Sequence, residues 1–174
     1  MYRIRAAQLV DVNVLVDLIN RAYRPTSDLA GWTHESAWVA GDRITRIQLS
    51  NDIQMTGRFL LLAADDEGKV AGCVQLMQQS KGVVAIGLLT VDPALQTQGL
   101  GKRLLQAAET FAVEKMSAMT VEIAVVHTRT ELMAYYQRRG YHVTEQQRPY
   151  PVDAQVGEPK QALHLMVMRK ALFS

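Results

Sequence analysis

A chain of 174 residues, 48% of them hydrophobic, is sized for one domain, residues 1–174, with a substantial core. The net charge of +2 is scattered rather than gathered into basic runs, which argues against nucleic acid or an anionic membrane as partner and leaves a small molecule. No apolar run reaches spanning length and Met1 to Ala6 carries no signal-peptide pattern, so a soluble, cytoplasmic protein is expected. The lone Cys73 excludes an intramolecular disulfide and sits in the apolar stretch Val70 to Met77, as a buried inert thiol would. Four His and one Cys form no ligand cluster, so no metal is expected.

In chain order, Tyr2 to Arg5 alternates as a short strand. Val12, Leu15, Val16, Ile19, Ala22 and Tyr23 recur at helical spacing, and Pro25 stops that helix near Arg24. A polar, Trp-containing connection covers Thr26 to Asp42, and a second helix is expected over Ile44 to Met55. Phe59 to Ala64, Val70 to Met77 and Val83 to Val91 are apolar runs split by Gly-containing turns, which predicts an antiparallel meander. Leu100, Leu104, Ala107, Ala108 and Phe111 then lay a stripe along a helix that covers one sheet face.

Val121, Ile123 and Val125 alternate with Glu122 and Ala124, so a strand returns beside the third member of the meander through a crossover. A short helix from Arg129 or Thr130 to Arg139 closes on Gly140, and Tyr141 to Thr144 is the next strand. A loop with Pro149, Pro151, Gly157 and Pro159 leads to a last strand over Ala162 to Arg169, which as an exposed strand could pair in a homodimer. The order β-α-α-β-β-β-α-β-α-β-β is an α/β fold: a mixed, mostly antiparallel sheet of six to seven strands with helices on both faces.

Gln96-Thr97-Gln98-Gly99-Leu100-Gly101 joins the third meander strand to its helix. The first N–H groups of a helix lack intrahelical partners and carry partial positive charge, so a Gly-bearing turn into a helix suits a phosphate. A P-loop would need Gly at Gln96 and Ser or Thr at Arg103, and the dinucleotide fingerprint would need a small residue at Leu104. Neither pattern fits. The bare structural alternative is a tight turn with nothing bound.

The Gln-x-x-Gly-x-Gly turn after Leu89-Thr90-Val91-Asp92-Pro93, with Tyr136-Gln137-Arg138-Arg139-Gly140-Tyr141 further on, resembles the GNAT acetyltransferase superfamily. The resemblance implies acetyl-CoA as cosubstrate, with the pyrophosphate held by backbone N–H groups of Gln96, Gln98, Gly99, Leu100, Gly101 and Lys102. It implies that the main chain of Leu89 and Val91 pairs with the pantetheine arm, which requires that strand to splay from its neighbour; Gly87 is a weak local reason for the bulge this needs. It also implies Tyr136 as general acid for the leaving thiolate, since a phenol with pKa near 10 is protonated at neutral pH. Packing against Leu132 is the alternative for Tyr136.

His127 stands where many relatives carry an Asn, so a cofactor contact, a proton relay and a surface position remain open. Ala85 stands where some relatives carry a Glu general base. Glu122 on the neighbouring strand and His34 or Glu35 are the other candidates for the base, with water as a further choice; for Glu122 the alternation favours a solvent-facing position instead. Trp32, His34 and Glu35 suit recognition of a cationic or aromatic amine, or else anchor the loop and cap a helix. The Pro-rich stretch Arg148 to Lys160 is a second candidate wall. The implied function is an N-acetyltransferase for a small-molecule or peptide amine; the alternative is a non-catalytic acyl-CoA-binding or sensing domain.

Overall fold

The computed structural model describes residues 1–24, 39–95, 98–151 and 157–173. Its elements are β1 (Arg3–Ala6), α1 (Val12–Tyr23), β2 (Val39–Ala40), α2 (Arg46–Gln54), β3 (Arg58–Ala64), β4 (Val70–Ser80), β5 (Val83–Val91), α3 (Leu100–Met116), β6 (Thr120–Val126), α4 (Thr130–Gln137), β7 (His142–Pro149), β8 (Glu158–Pro159) and β9 (His164–Ala171). Seven strands form one sheet in the order β1-β3-β4-β5-β6-β9-β7, and β2 pairs with β8 apart from it. Every neighbouring pair in the large sheet is antiparallel except β5 and β6.

The helices form where the sequence pattern places them, for local reasons. In α1 the apolar residues Leu15, Val16, Leu18, Ile19 and Ala22 are buried as one stripe. α2 starts at Arg46, two residues after the expected Ile44, because Thr45 caps it: its hydroxyl accepts from the Gln48 N–H while the Gln48 side-chain oxygen accepts from the Thr45 N–H. α3 buries Leu100, Leu104, Leu105, Ala108 and Ala112, so the stripe lies about one residue round from the expected one through Ala107 and Phe111.

Two cores lie on opposite faces of the sheet. Leu104 and Ala108 of α3 pack with Val84, Ile86, Val121, Ile123, Val125 and, from α4, Tyr136. Leu15 and Ile19 of α1 and Leu49 of α2 pack with Leu60, Leu62, Cys73 and Leu88. Because side chains alternate along a strand, Glu122, Ala124 and Val126 of β6 point to the α1 face while Val121, Ile123 and Val125 point to the α3 face.

Cys73 is fully buried in the α1-side core, and burial pushes its thiol up to about 12, with a hydrogen-bond contribution from Thr90 in the opposite direction. A thiol reagent at pH 8 is therefore expected to leave the native protein unlabelled over hours and to label it once per chain in denaturant. Rapid labelling of the folded protein would contradict the packing around β4.

Two strand expectations change. β7 runs to Pro149 rather than ending at Thr144, because Gln147 to Pro149 resume pairing with Met166 to His164 beyond an irregularity after Val143. Proline is tolerated there since β7 is the sheet edge. The C-terminal strand β9, expected as an exposed pairing edge for a homodimer, instead has β6 on one side and β7 on the other, so its backbone groups face partners within the chain.

Candidate active site

β5 and β6 are hydrogen-bonded neighbours only over Val83, Val84 and Ala85 with Thr120, Val121 and Glu122. Beyond that they part, and the cause lies on β5. Opposite β4 the register runs from Cys73 with Thr90 to Gln75 with Gly87, so β5 carries one residue more than β4 between those pairs. Leu88 takes a left-handed backbone, φ 48°, at a cost of about 1–2 kcal/mol for a residue with a Cβ. Its side chain is 4% exposed in the α1-side core, and that burial offsets the strain. The bulge therefore sits at Leu88, not at Gly87. Gly72 on β4 lies beside it, where a Cβ would come within 2.6 Å of the Thr90 carbonyl oxygen and 2.8 Å of Leu104 Cδ1.

The parted strands open a cleft of about 250 Å³ lined by Gly87, Leu88 and Leu89 of β5 and by Ile123 to Val126 of β6. From the α3 face, Tyr136 and Leu132 of α4 and the buried Arg129 before it reach the cleft. Tyr136 packs edge-on to Tyr141, and the Tyr141 hydroxyl donates to Glu109 at 2.9 Å, which fixes the aromatic pair. Burial, and then Tyr23 and Tyr135 nearby, push the Tyr136 phenol well above the ordinary range, so it is a proton carrier and not a phenolate.

Glu122 and Ala85 are register partners on adjacent parallel strands, so the Glu122 side chain leaves the sheet beside Ala85, the position at which some relatives carry a Glu. The solvent-facing reading of Glu122 is corrected: the residue is 1% exposed. Its Oε1 accepts from Arg148 Nη2 at 2.8 Å and its Oε2 from Arg169 Nε at 3.2 Å. Alternation along β6 misled because β9 and β7 bring those two arginines over the strand. Arg148, Tyr150 and Pro151 also line the cleft, as the second expected wall.

At the other end of β5, Gly99 takes a left-handed backbone, φ 77°, and starts α3, with its carbonyl accepting the first helical bond from Arg103. Gln98 and Lys102 are exposed, and Leu100 is buried. A Cβ on Gly101 would stand 3.4 Å from the Tyr135 hydroxyl, which brings Tyr135 to this turn rather than to the cleft. The Arg103 guanidinium donates to the Tyr2 carbonyl oxygen. Gln96, with Trp32, His34 and Glu35, lies outside the described residues. His127 stacks on His164 with ring centroids 3.9 Å apart, its backbone N–H donates to the His164 carbonyl at 2.9 Å, and it is not part of the cleft lining among the described residues.

A family model for the acetyltransferase (GNAT) domain matches residues 30–149. The chain belongs to the GNAT acetyltransferase family. It is an acyltransferase, and its seven-stranded mixed sheet with helices on both faces is the GNAT fold. It is 26% identical over 146 residues to the uncharacterized N-acetyltransferase YhfO of Bacillus subtilis, with 79% of this chain and 88% of that protein covered. Among solved structures, a GNAT-family acetyltransferase from Staphylococcus aureus superposes with TM-score 0.72 at 15% identity, covering 99% of each chain. The structure of yncA from Salmonella typhimurium with its cofactor acetyl-CoA gives TM-score 0.70 at 21% identity, covering 100% of this chain and 95% of that one.

Within this GNAT chain the cleft includes residues that the sequence did not single out for a site. Tyr23 at the end of α1 and Arg43 before α2 border it on the α1 face, with the Arg43 guanidinium 5.4 Å from the Tyr23 ring centroid. Arg129 was legible only as a helix start. The available signal was that each interrupts an otherwise explained pattern: Tyr23 ends an apolar stripe, and Arg43 stands in Gly41-Asp42-Arg43 just ahead of a capping Thr.

Proposed function

We propose that residues 1–174 act as one acetyl-CoA-dependent N-acetyltransferase domain in the cytoplasm, by direct attack of a primary amine on the thioester. The observation that carries this reading is the opening between β5 and β6, with Tyr136 entering from the α3 face and charged side chains from the α1 face. In this reading the pyrophosphate sits on the backbone N–H groups of Gln96, Gln98, Gly99, Leu100, Gly101 and Lys102, and the pantetheine arm lies along Leu89 and Val91 as an added strand. The acceptor approaches from the α1 face, with Trp32, His34 and Glu35 as the residues that recognise it. No nucleic acid or membrane enters the reaction.

The step forms the N–C bond and breaks the C–S bond, and the proton that nitrogen loses ends on sulfur. Tyr136 serves as general acid, donating its hydroxyl hydrogen toward the sulfur as negative charge develops there, while the amine proton replaces it. Glu122 is a poor base, since each carboxylate oxygen already accepts from a guanidinium. An ammonium substrate must first lose a separate proton: the positive charge of the lining disfavours the ammonium form of a bound amine, whose free pKa is about 10.4, and water takes that proton before attack, while the second, released as the N–C bond forms, is the one that ends on sulfur.

The test is thiol release from acetyl-CoA over a panel of primary amines. Release with at least one amine, without a trapped acetyl-enzyme, is expected. A second reading, a non-catalytic acyl-CoA sensor, is favoured by Ala85 in the base position and by His127 turned onto His164. It predicts that coenzyme A raises the melting temperature while no amine releases thiol.

A further inference from the structure

The α1 face of the cleft carries more positive charge than its neighbours there neutralise. Two arginines on that face line the cleft, Arg43 and Arg148, against one carboxylate, Glu122, among the described residues, whereas Arg129, which reaches the cleft from the α3 face, is paired with Glu131 at 3.1 Å. Glu122 is shared further with Arg169, so it does not cancel even Arg148 alone. Arg148 gives one of the five N–H donors of a guanidinium to Glu122 at 2.8 Å, and its side chain, which lines the cleft, is one-third exposed. Arg43 lines the same cleft, its guanidinium 5.4 Å from the Tyr23 ring centroid. A guanidinium fixed at one edge by a buried carboxylate presents its other donors in a set direction, which is the arrangement that binds a second carboxylate or similar oxyanion.

We propose that the acceptor is an amine that also bears an acidic group, with Arg148, oriented by Glu122, and Arg43 binding that group. This rests on the transferase reading above and names the class of its second substrate. A simple polyamine or a lysine-like amine with no nearby anion is a poor fit, because it would bring further positive charge to the same lining. An anion binding there offsets the positive lining around the amine only in part. It also fixes the nitrogen relative to the parted strands, which is where orientation contributes to rate.

The test compares matched pairs of acceptors, amino acids against the amines left by removing their carboxylate, with thiol release from acetyl-CoA as readout. The amino acid of each pair is expected to have kcat/KM at least about tenfold higher, mostly through KM, as a charged hydrogen bond predicts. In Arg148→Met and in Arg43→Met that ratio falls toward one, and in Arg148→Lys it is partly kept. Arg43→Met guards against loss of folding at Arg148, and the wild-type ratio needs no variant. Equal ratios in the wild type, or a preference for the decarboxylated member, overturn the proposal while leaving the transferase intact. A gain with succinyl-CoA over acetyl-CoA that is lost in Arg148→Met overturns it too, since the arginine then reads the donor. If no acceptor releases thiol, the transferase reading falls, and thermal shifts with the same pairs decide acidic-group recognition by themselves.

Discussion

Tyr136→Phe is expected to lower turnover by about tenfold or more while the dissociation constant for coenzyme A stays within about twofold. The substitution removes one oxygen and leaves the ring against Tyr141 and the rest of the α3-side core. Stability should therefore hold, and a fall in kcat would report the hydroxyl itself. Burial keeps the proton on oxygen across the neutral and mildly alkaline range, so any loss of activity in that range belongs to another group. Unchanged kcat in the Phe variant would assign Tyr136 to packing, the other role its place on α4 allows.

Glu122→Ala is expected to cost about 2–3 kcal/mol, read as a lower urea midpoint and a melting temperature about 5–10 °C lower. Breaking a fully buried pair costs more than this, but Arg148 and Arg169 are partly exposed and can turn to water. What remains is a buried hollow next to Ala85 and two guanidinium groups without their shared acceptor. Glu122→Gln keeps the shape and should lose less. A Glu122→Ala protein as stable as the parent would mean that the carboxylate is held there against its own cost, for recognition alone.

The parts of the site that are contiguous in sequence were legible there. The turn through Gly99 and Gly101 and the segment from Tyr136 to Tyr141 each carry their geometry in a few adjacent residues: a left-handed glycine, a helix start, a helix stop at Gly140. The charged wall was not legible, because its members meet only through sheet order. Arg148 and Glu122 are 26 residues apart and come together because β9 inserts between β6 and β7. The long Pro-bearing connection before β9 allows either an inner or an outer place for that strand, and nothing in the alternation of β9 itself decides between them. The bulge was expected near the right place for the wrong residue, since a glycine in a strand suggests freedom, while Leu88 is held left-handed by the core it fills.

The three residue pairs that join β5 to β6 make the sheet two leaves on a short spine, β1-β3-β4-β5 on one side and β6-β9-β7 on the other. Each leaf is laced by long antiparallel ladders, whereas the spine depends on Val83 to Ala85 and on the helices that straddle it. The width of the opening is thus set along one seam, by three residue pairs and by the α3-side core that both leaves share, and not by the ladders inside either leaf.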